Sequence, residues 1–143
     1  MEWKNGEFII DNDKTKLQFD VIQRFLSEES YWAKNRTPEQ TRTAIEHSIC
    51  FGLYHKDAQI GFARVVTDRA TFAYLGDVFV LDEYRGRGLG KWLMETIVAH
   101  PELQGLRRWV LATRDAHGLY EPFGFEPLKF PDRWMERPAP DAY

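Results

Sequence analysis

The chain has 143 residues, 22 acidic against 19 basic, with 43% hydrophobic and 15% aromatic content; at this length one domain buries roughly two-thirds of its unfolded surface, so no second domain is needed. A net charge of −3 supplies no overall field to draw nucleic acid, and no apolar run approaches the roughly 18 residues of a membrane span. The single cysteine, Cys50, excludes an intramolecular disulfide and reads as a small buried hydrophobe, while the four histidines never stand three or four residues apart, which removes metal-like spacing.

In chain order, Phe8-Ile9-Ile10 reads as a first strand, and Leu17, Val21, Ile22, Phe25 and Leu26 recur at helical spacing. Thr37-Pro38-Glu39-Gln40 combines an N-cap hydroxyl, proline at the first helical position and glutamine at the third, so a second helix starts near Pro38 with Thr41, Ala44, Ile45 and Ser48 on one face. Residues 50–55, 59–67 and 71–80 are β-rich runs, separated by Lys56-Asp57-Ala58 and Asp68-Arg69-Ala70, which are short enough for hairpin turns. Leu89, Trp92, Leu93, Thr96 and Ile97 mark a helix that Pro101 ends, and a strand at 109–112 then returns parallel to 71–80 by a crossover. Trp134-Met135-Glu136 completes a last strand, and residues 138–143 form a loose, proline-containing tail. The expectation is an α/β fold occupying 1–143 as one domain, located in the cytoplasm, with a mixed, mostly antiparallel sheet flanked by helices.

The densest chemical signal is Arg85-Gly86-Arg87-Gly88-Leu89-Gly90, lying between the apolar Val78-Phe79-Val80 and the helix that begins at Leu89. Closely spaced glycines let a backbone come near a ligand. The first amides of the following helix lack intrahelical partners and favour an anion, and Arg85 and Arg87 add donors of matching sign. The loop is not a Walker A sequence, because Lys91-Trp92 follows Gly90 with no hydroxyl residue for magnesium. Nor is it a dinucleotide fingerprint, since the glycine spacing differs and the loop lies past the middle of the chain.

Read as Arg85, Gly88 and Gly90, the stretch resembles the Arg/Gln-x-x-Gly-x-Gly/Ala coenzyme A motif of the GNAT acetyltransferase superfamily. A second element, from Ala116 through Tyr120 to Gly124-Phe125, is similar to that family's A-x-x-x-Y-x-x-x-G-F pattern. The resemblance implies the element order βααβββαβαββ, with two central parallel strands splayed at their C-terminal ends. It also implies acetyl-CoA as cosubstrate, with the pyrophosphate held by Arg85, Gly86, Arg87, Gly88, Leu89, Gly90 and Lys91. The pantetheine arm is expected to pair with the backbone of Val78, Phe79 and Val80. Thr113 stands where the family often has asparagine, and Tyr120 falls at the position of the general acid that protonates the departing thiolate.

By the same resemblance, counting back from the glycine motif puts Tyr74 where some histone-acetylating members carry a glutamate base, so that particular base is absent. Asp77 is the nearest acidic alternative on the same strand: it either recognises or deprotonates the amine, or it occupies the rim or pairs with Arg64. The segment at residues 30–36, which in the family folds over the acceptor, offers Tyr31 and Trp32 as an apolar wall or an ammonium face and Arg36 as a partner for a carboxylate. The expected activity is acetyl transfer to a small amine by direct attack in a ternary complex, by a monomer or homodimer with no metal, nucleic-acid or membrane partner. A non-catalytic acyl-CoA sensor and a protein lysine acetyltransferase remain the alternatives.

Overall fold

A computed structural model describes residues 1–140, so the last three positions of the expected tail, 141–143, lie outside the described residues. Six strands form one sheet in sequential order, β1 (Glu2–Asn5), β2 (Phe8–Asp11), β3 (Ile49–His55), β4 (Ala58–Thr67), β5 (Phe72–Val80) and β6 (Arg108–Val110). All neighbours are antiparallel except β5 and β6, which are parallel. The β1–β2 hairpin was not expected. Its first strand, Glu-Trp-Lys-Asn, carries one apolar side chain, too few for an alternation to register.

Between β2 and β3 lie α1 (Phe19–Arg24), which runs on into a π-helical turn over Phe25–Glu29, and α2 (Pro38–Glu46). The predicted capping box is present: Gln40 N–H donates to Thr37 Oγ1 at 3.2 Å, and Thr37 N–H donates to Gln40 Oε1 at 2.9 Å. Helix α3 (Leu89–Val98) makes the crossover from β5 to β6, and the short α4 (His117–Tyr120) follows β6.

Each face of the sheet carries its own core. On one side Ile10, Phe51, Leu53, Ile60, Val65 and Leu75 pack against Leu89, Leu93, Met94 and Ile97 of α3 and against Tyr120. On the other, Phe62 and Phe79 meet Ile22, Phe25 and Leu26, with Cys50 beside them at 1% exposure. Burial pushes the Cys50 thiol up to about 11, so it stays a neutral hydrophobe.

Two expectations about the sheet change. Residues 134–136 form no strand: Met135 is 96% exposed, Trp134 places its ring 4.9 Å from the Arg108 guanidinium, and a 3-10 turn at Pro131–Arg133 precedes them. Proline at 131 and again at 138 brackets the segment, so main-chain pairing there yields to a side-chain contact. Without those last strands the parallel pair lies at one edge of the sheet rather than at its centre. Among the described residues no helix is long and apolar enough to cross a membrane.

Candidate active site

The splay anticipated between the parallel strands is present. Strand β5 pairs with β6 only at Phe72, Ala73 and Tyr74, and from Leu75 onward its strand partner among the described residues is β4 alone. A bulge sharpens the divergence. Arg64 pairs with Gly76 and Phe62 with Phe79, so Ala63 faces both Asp77 and Val78. Asp77 takes up the extra residue at a φ of 53°, a left-handed conformation that aspartate tolerates better than most side chains. The bulge also exchanges faces: Ala73 and Leu75 belong to the α3-side core, whereas Phe79 enters the opposite one.

Beyond the end of β5, Gly88 is the N-cap of α3 at a φ of 76°, and Gly86 has a φ of 77°. A Cβ built at either position would meet nothing within 4 Å. The loop surface there is open, and the first bond of the helix, from Trp92 N–H to Gly88 O at 3.0 Å, leaves the amides of Leu89, Gly90 and Lys91 without helical acceptors. These residues fit a pyrophosphate. The flanking arginines are locally engaged: Arg85 pairs with Asp82 at 2.9 Å and donates from Nε to the Val80 carbonyl at 3.2 Å, while the Arg87 guanidinium lies 5.2 Å from the Tyr84 ring. Of the three residues expected to face the gap, Val80 therefore has its carbonyl covered. Phe79 has its side chain stacked on Phe25 with ring centroids 4.0 Å apart, so only its main chain remains for a ligand.

A cavity of about 330 Å³ collects most of the predicted acceptor-side residues. Tyr31, Trp32 and Arg36 from the segment before α2, Asp77 and Val78 from the bulge, and Thr113 and Tyr120 from beyond β6 all line it. Arg64, Tyr74, Leu111, Arg114 and Glu136 line it too. Arg114 and Glu136 carried no motif, and Glu136 in particular sits in a segment that reads as a strand. A second cavity, of about 230 Å³, lies along β6 and shares Leu111, Thr113 and Tyr120 with the first. A larger one, of about 730 Å³, is lined by residues such as Val98, Arg107, Phe130 and Trp134 and contains none of the predicted site residues.

Asp77 is not a free carboxylate. Its Oδ2 accepts from Arg36 Nη1 and from Arg64 Nε at 2.9 Å, and its Oδ1 accepts from the Trp32 indole Nε1 at 2.8 Å. Burial opposes its ionisation, but the Arg64 and Arg36 guanidiniums outweigh that effect and hold the carboxyl below its ordinary value. A carboxylate so held is a weak proton acceptor, which corrects the base role expected for Asp77. Of the two readings open in the sequence, the pairing with Arg64 is what forms. Arg36 gives Nη1 to Asp77 and still lines the cavity with its remaining guanidinium N–H groups.

Tyr31 ties the rim together: its hydroxyl accepts from Arg114 N–H at 2.8 Å, and the Arg114 guanidinium lies 4.0 Å from its ring centroid. Thr113 Oγ1 accepts from Ala116 N–H at 3.0 Å and so ties the turn that leads into α4. Tyr120 is 9% exposed, and burial, with Tyr31 nearby, pushes its phenol up to about 12. Its ring lies 6.1 Å from that of Phe125, so the aromatic packing role and the place on the cavity wall coexist.

A family model described as an acetyltransferase (GNAT) domain matches residues 46–127, a span that holds β3 to β6, the glycine loop and Tyr120. The chain belongs to the GNAT acetyltransferase family. It is similar to a Gibberella zeae protein named as a candidate acetyltransferase, at 34% identity across 82% of this chain and 78% of that one. The crystal structure of a GNAT family member from Xanthomonas campestris pv. campestris superposes with a TM-score of 0.91 at 52% identity, covering 93% of this chain and 94% of the other. A Clostridium acetobutylicum protein described as a predicted acetyltransferase, solved with acetyl-CoA, shares the fold with a TM-score of 0.62 at 16% identity over 92% and 94% of the two chains. Acetyl transfer is thus the activity of the family to which this GNAT chain belongs.

Proposed function

We propose that the chain is an acetyl-CoA-dependent N-acetyltransferase for a small amine, built as one domain and working by direct attack in a ternary complex. The observation that carries this reading is the position of Tyr120 on the walls of both the 330 Å³ and the 230 Å³ cavities, beside the splay of β5 and β6. One hydroxyl is thereby available to an acceptor on one side and a thioester on the other. The acceptor cavity lies at the lower end of the range of about 300–1,000 Å³ found for small-molecule sites. That size supports a small amine over a protein lysine.

Bound acetyl-CoA supplies an acyl group already activated toward an amine. The amides of Leu89, Gly90 and Lys91 hold the pyrophosphate, with Gly86 and Gly88 keeping the approach clear and Arg85 and Arg87 contributing charge. The main chain of Val78 and Phe79 serves the pantetheine arm. Thr113, whose oxygen is taken by Ala116 N–H, retains a proton to donate to the same arm. Tyr120, with its phenol pushed up to about 12, keeps its proton through neutral pH and delivers it to the leaving sulfur, while the proton shed by the attacking neutral amine passes to water, from which Tyr120 is reprotonated. Asp77 positions Trp32 and Arg36 as acceptor-side walls.

A screen of amines and amino acids for thiol release from acetyl-CoA tests the reading. Release with a small amine supports it. Tight coenzyme A binding with no release from any acceptor would instead favour a sensor that has kept the cradle and lost turnover.

A further inference from the structure

Of the two arginines that flank the glycine loop, only one is neutralised. Arg85 pairs with Asp82. Arg87 has no carboxylate within ion-pair distance among the described residues, and its guanidinium rests on neutral groups, the Tyr84 ring at 5.2 Å and the Glu83 carbonyl at 3.4 Å. Behind Tyr84 stands a chain of side chains that no motif marked. The Tyr84 hydroxyl lies 3.0 Å from His55 Nδ1, and His55 Nε2 lies 3.0 Å from Glu7 Oε2. The His55 bond holds the Glu7 carboxyl below its ordinary value, so Glu7 is ionised and only accepts. In the neutral imidazole the proton is thereby placed on Nε2, which leaves Nδ1 to accept from the Tyr84 O–H. Phe8 completes the support, with its ring stacked on His55 at 4.9 Å and edge-on to Tyr84 at 6.2 Å.

We infer that Tyr84, oriented by His55 and Glu7, is a positioning residue for the cofactor: it holds the unneutralised Arg87 guanidinium where it adds charge to the pyrophosphate cradle. This rests on the cradle of the proposed function and names the residues that set one of its charges. An arginine lying against an aromatic face keeps its charge for an anion, whereas a carboxylate partner would spend it. A phenol pinned through its hydroxyl holds its ring in place before the cofactor arrives, so less freedom is lost on binding. The Glu7 side chain is 69% exposed, and its part is to place the His55 proton rather than to add stability. The three residues come from the β1–β2 turn, the end of β3 and the 3-10 turn Asp82–Tyr84 that follows β5, which gives the unexpected hairpin a use at the cofactor site.

Calorimetry with coenzyme A over a series of NaCl concentrations tests this without an acceptor. Arg87→Ala is expected to weaken binding at low salt. Tyr84→Phe keeps the ring but frees it from His55, and His55→Phe keeps the stack on Phe8 while removing the acceptor. Each should raise the Kd about three- to ten-fold, as loss of one hydrogen bond implies. His55→Asn, which retains an acceptor near the Nδ1 position, should restore part of the affinity. In about 1 M NaCl, where charges are screened beyond about 3 Å, the gap should close. In an Arg87→Ala background, Tyr84→Phe should change nothing further. A loss that persists in salt, or that adds to that of Arg87→Ala, belongs to a merely structural role and overturns the inference. Wild-type affinity in Arg87→Ala, Tyr84→Phe or His55→Phe overturns it as well, and melting curves on each variant separate a folding defect from a binding one. Wild-type affinity in Gly88→Val overturns the cradle itself, and this inference with it.

Discussion

The indole Nε1 of Trp32 donates to Oδ1 of Asp77 at 2.8 Å, joining the segment before α2 to the β5 bulge across 45 residues of chain. The other carboxylate oxygen is held by Arg36 and Arg64. One buried side chain thus fixes a wall of the acceptor cavity and the strand deformation that opens it.

Asp77→Asn keeps the shape and removes the charge, leaving two half-buried guanidiniums without their anion, and should destabilise the fold by about 3 kcal/mol. The pH dependence has a definite sign. The folded carboxyl ionises at lower pH than the unfolded one, so its contribution is complete above the unfolded value of about 3.9 and is lost as pH falls through the folded value. Denaturant melts across acidic pH should show the wild type losing stability more steeply below about pH 4 than Asp77→Asn does. Parallel curves would remove the carboxylate from the stability account.

Gly88→Val places a branched side chain at a φ of 76°, a conformation that costs an ordinary residue about 1–2 kcal/mol. Nothing lies within 4 Å of the new Cβ, so the fold should persist while the side chain and the displaced amides exclude the pyrophosphate. Calorimetry should find coenzyme A binding lost in a protein with native circular dichroism. Wild-type affinity in that variant would sink the cradle.

Tyr120→Phe retains the ring packing against Phe125 and removes the proton. Turnover should drop roughly ten-fold or more with coenzyme A affinity little changed. Since burial pushes the phenol up to about 12, the wild-type rate should show no loss of this acid up to about pH 10, where an ordinary tyrosine would already be half ionised. An unchanged rate in the variant, with chemistry shown to limit turnover, would return Tyr120 to a packing role alone.

Phe79→Ala should act on stability first. The ring stacks on Phe25 and packs near Phe62 at 4% exposure, and its removal from such a core costs about 3–5 kcal/mol. A midpoint of denaturation within experimental error of the wild type would contradict the stacked arrangement.

The amino-acid sequence by itself determined the local features: the capping box at Thr37 and Gln40, the hairpins of β3, β4 and β5, the glycine loop opening α3, and the spacing that brought Tyr120 into view. Each depends on residues within a few positions of one another, where backbone geometry and side-chain pattern are read directly. Tertiary structure decided the rest, because those features arise between residues distant in sequence. Whether Asp77 is free or tied depends on Trp32, Arg36 and Arg64, which come from two other segments. Whether residues 134–136 pair as a strand or lie against Arg108 depends on which contacts β6 offers, and that outcome is what carries Glu136 to the acceptor cavity. A charge's role follows from the balance of burial and partners around it, and only the folded chain supplies both.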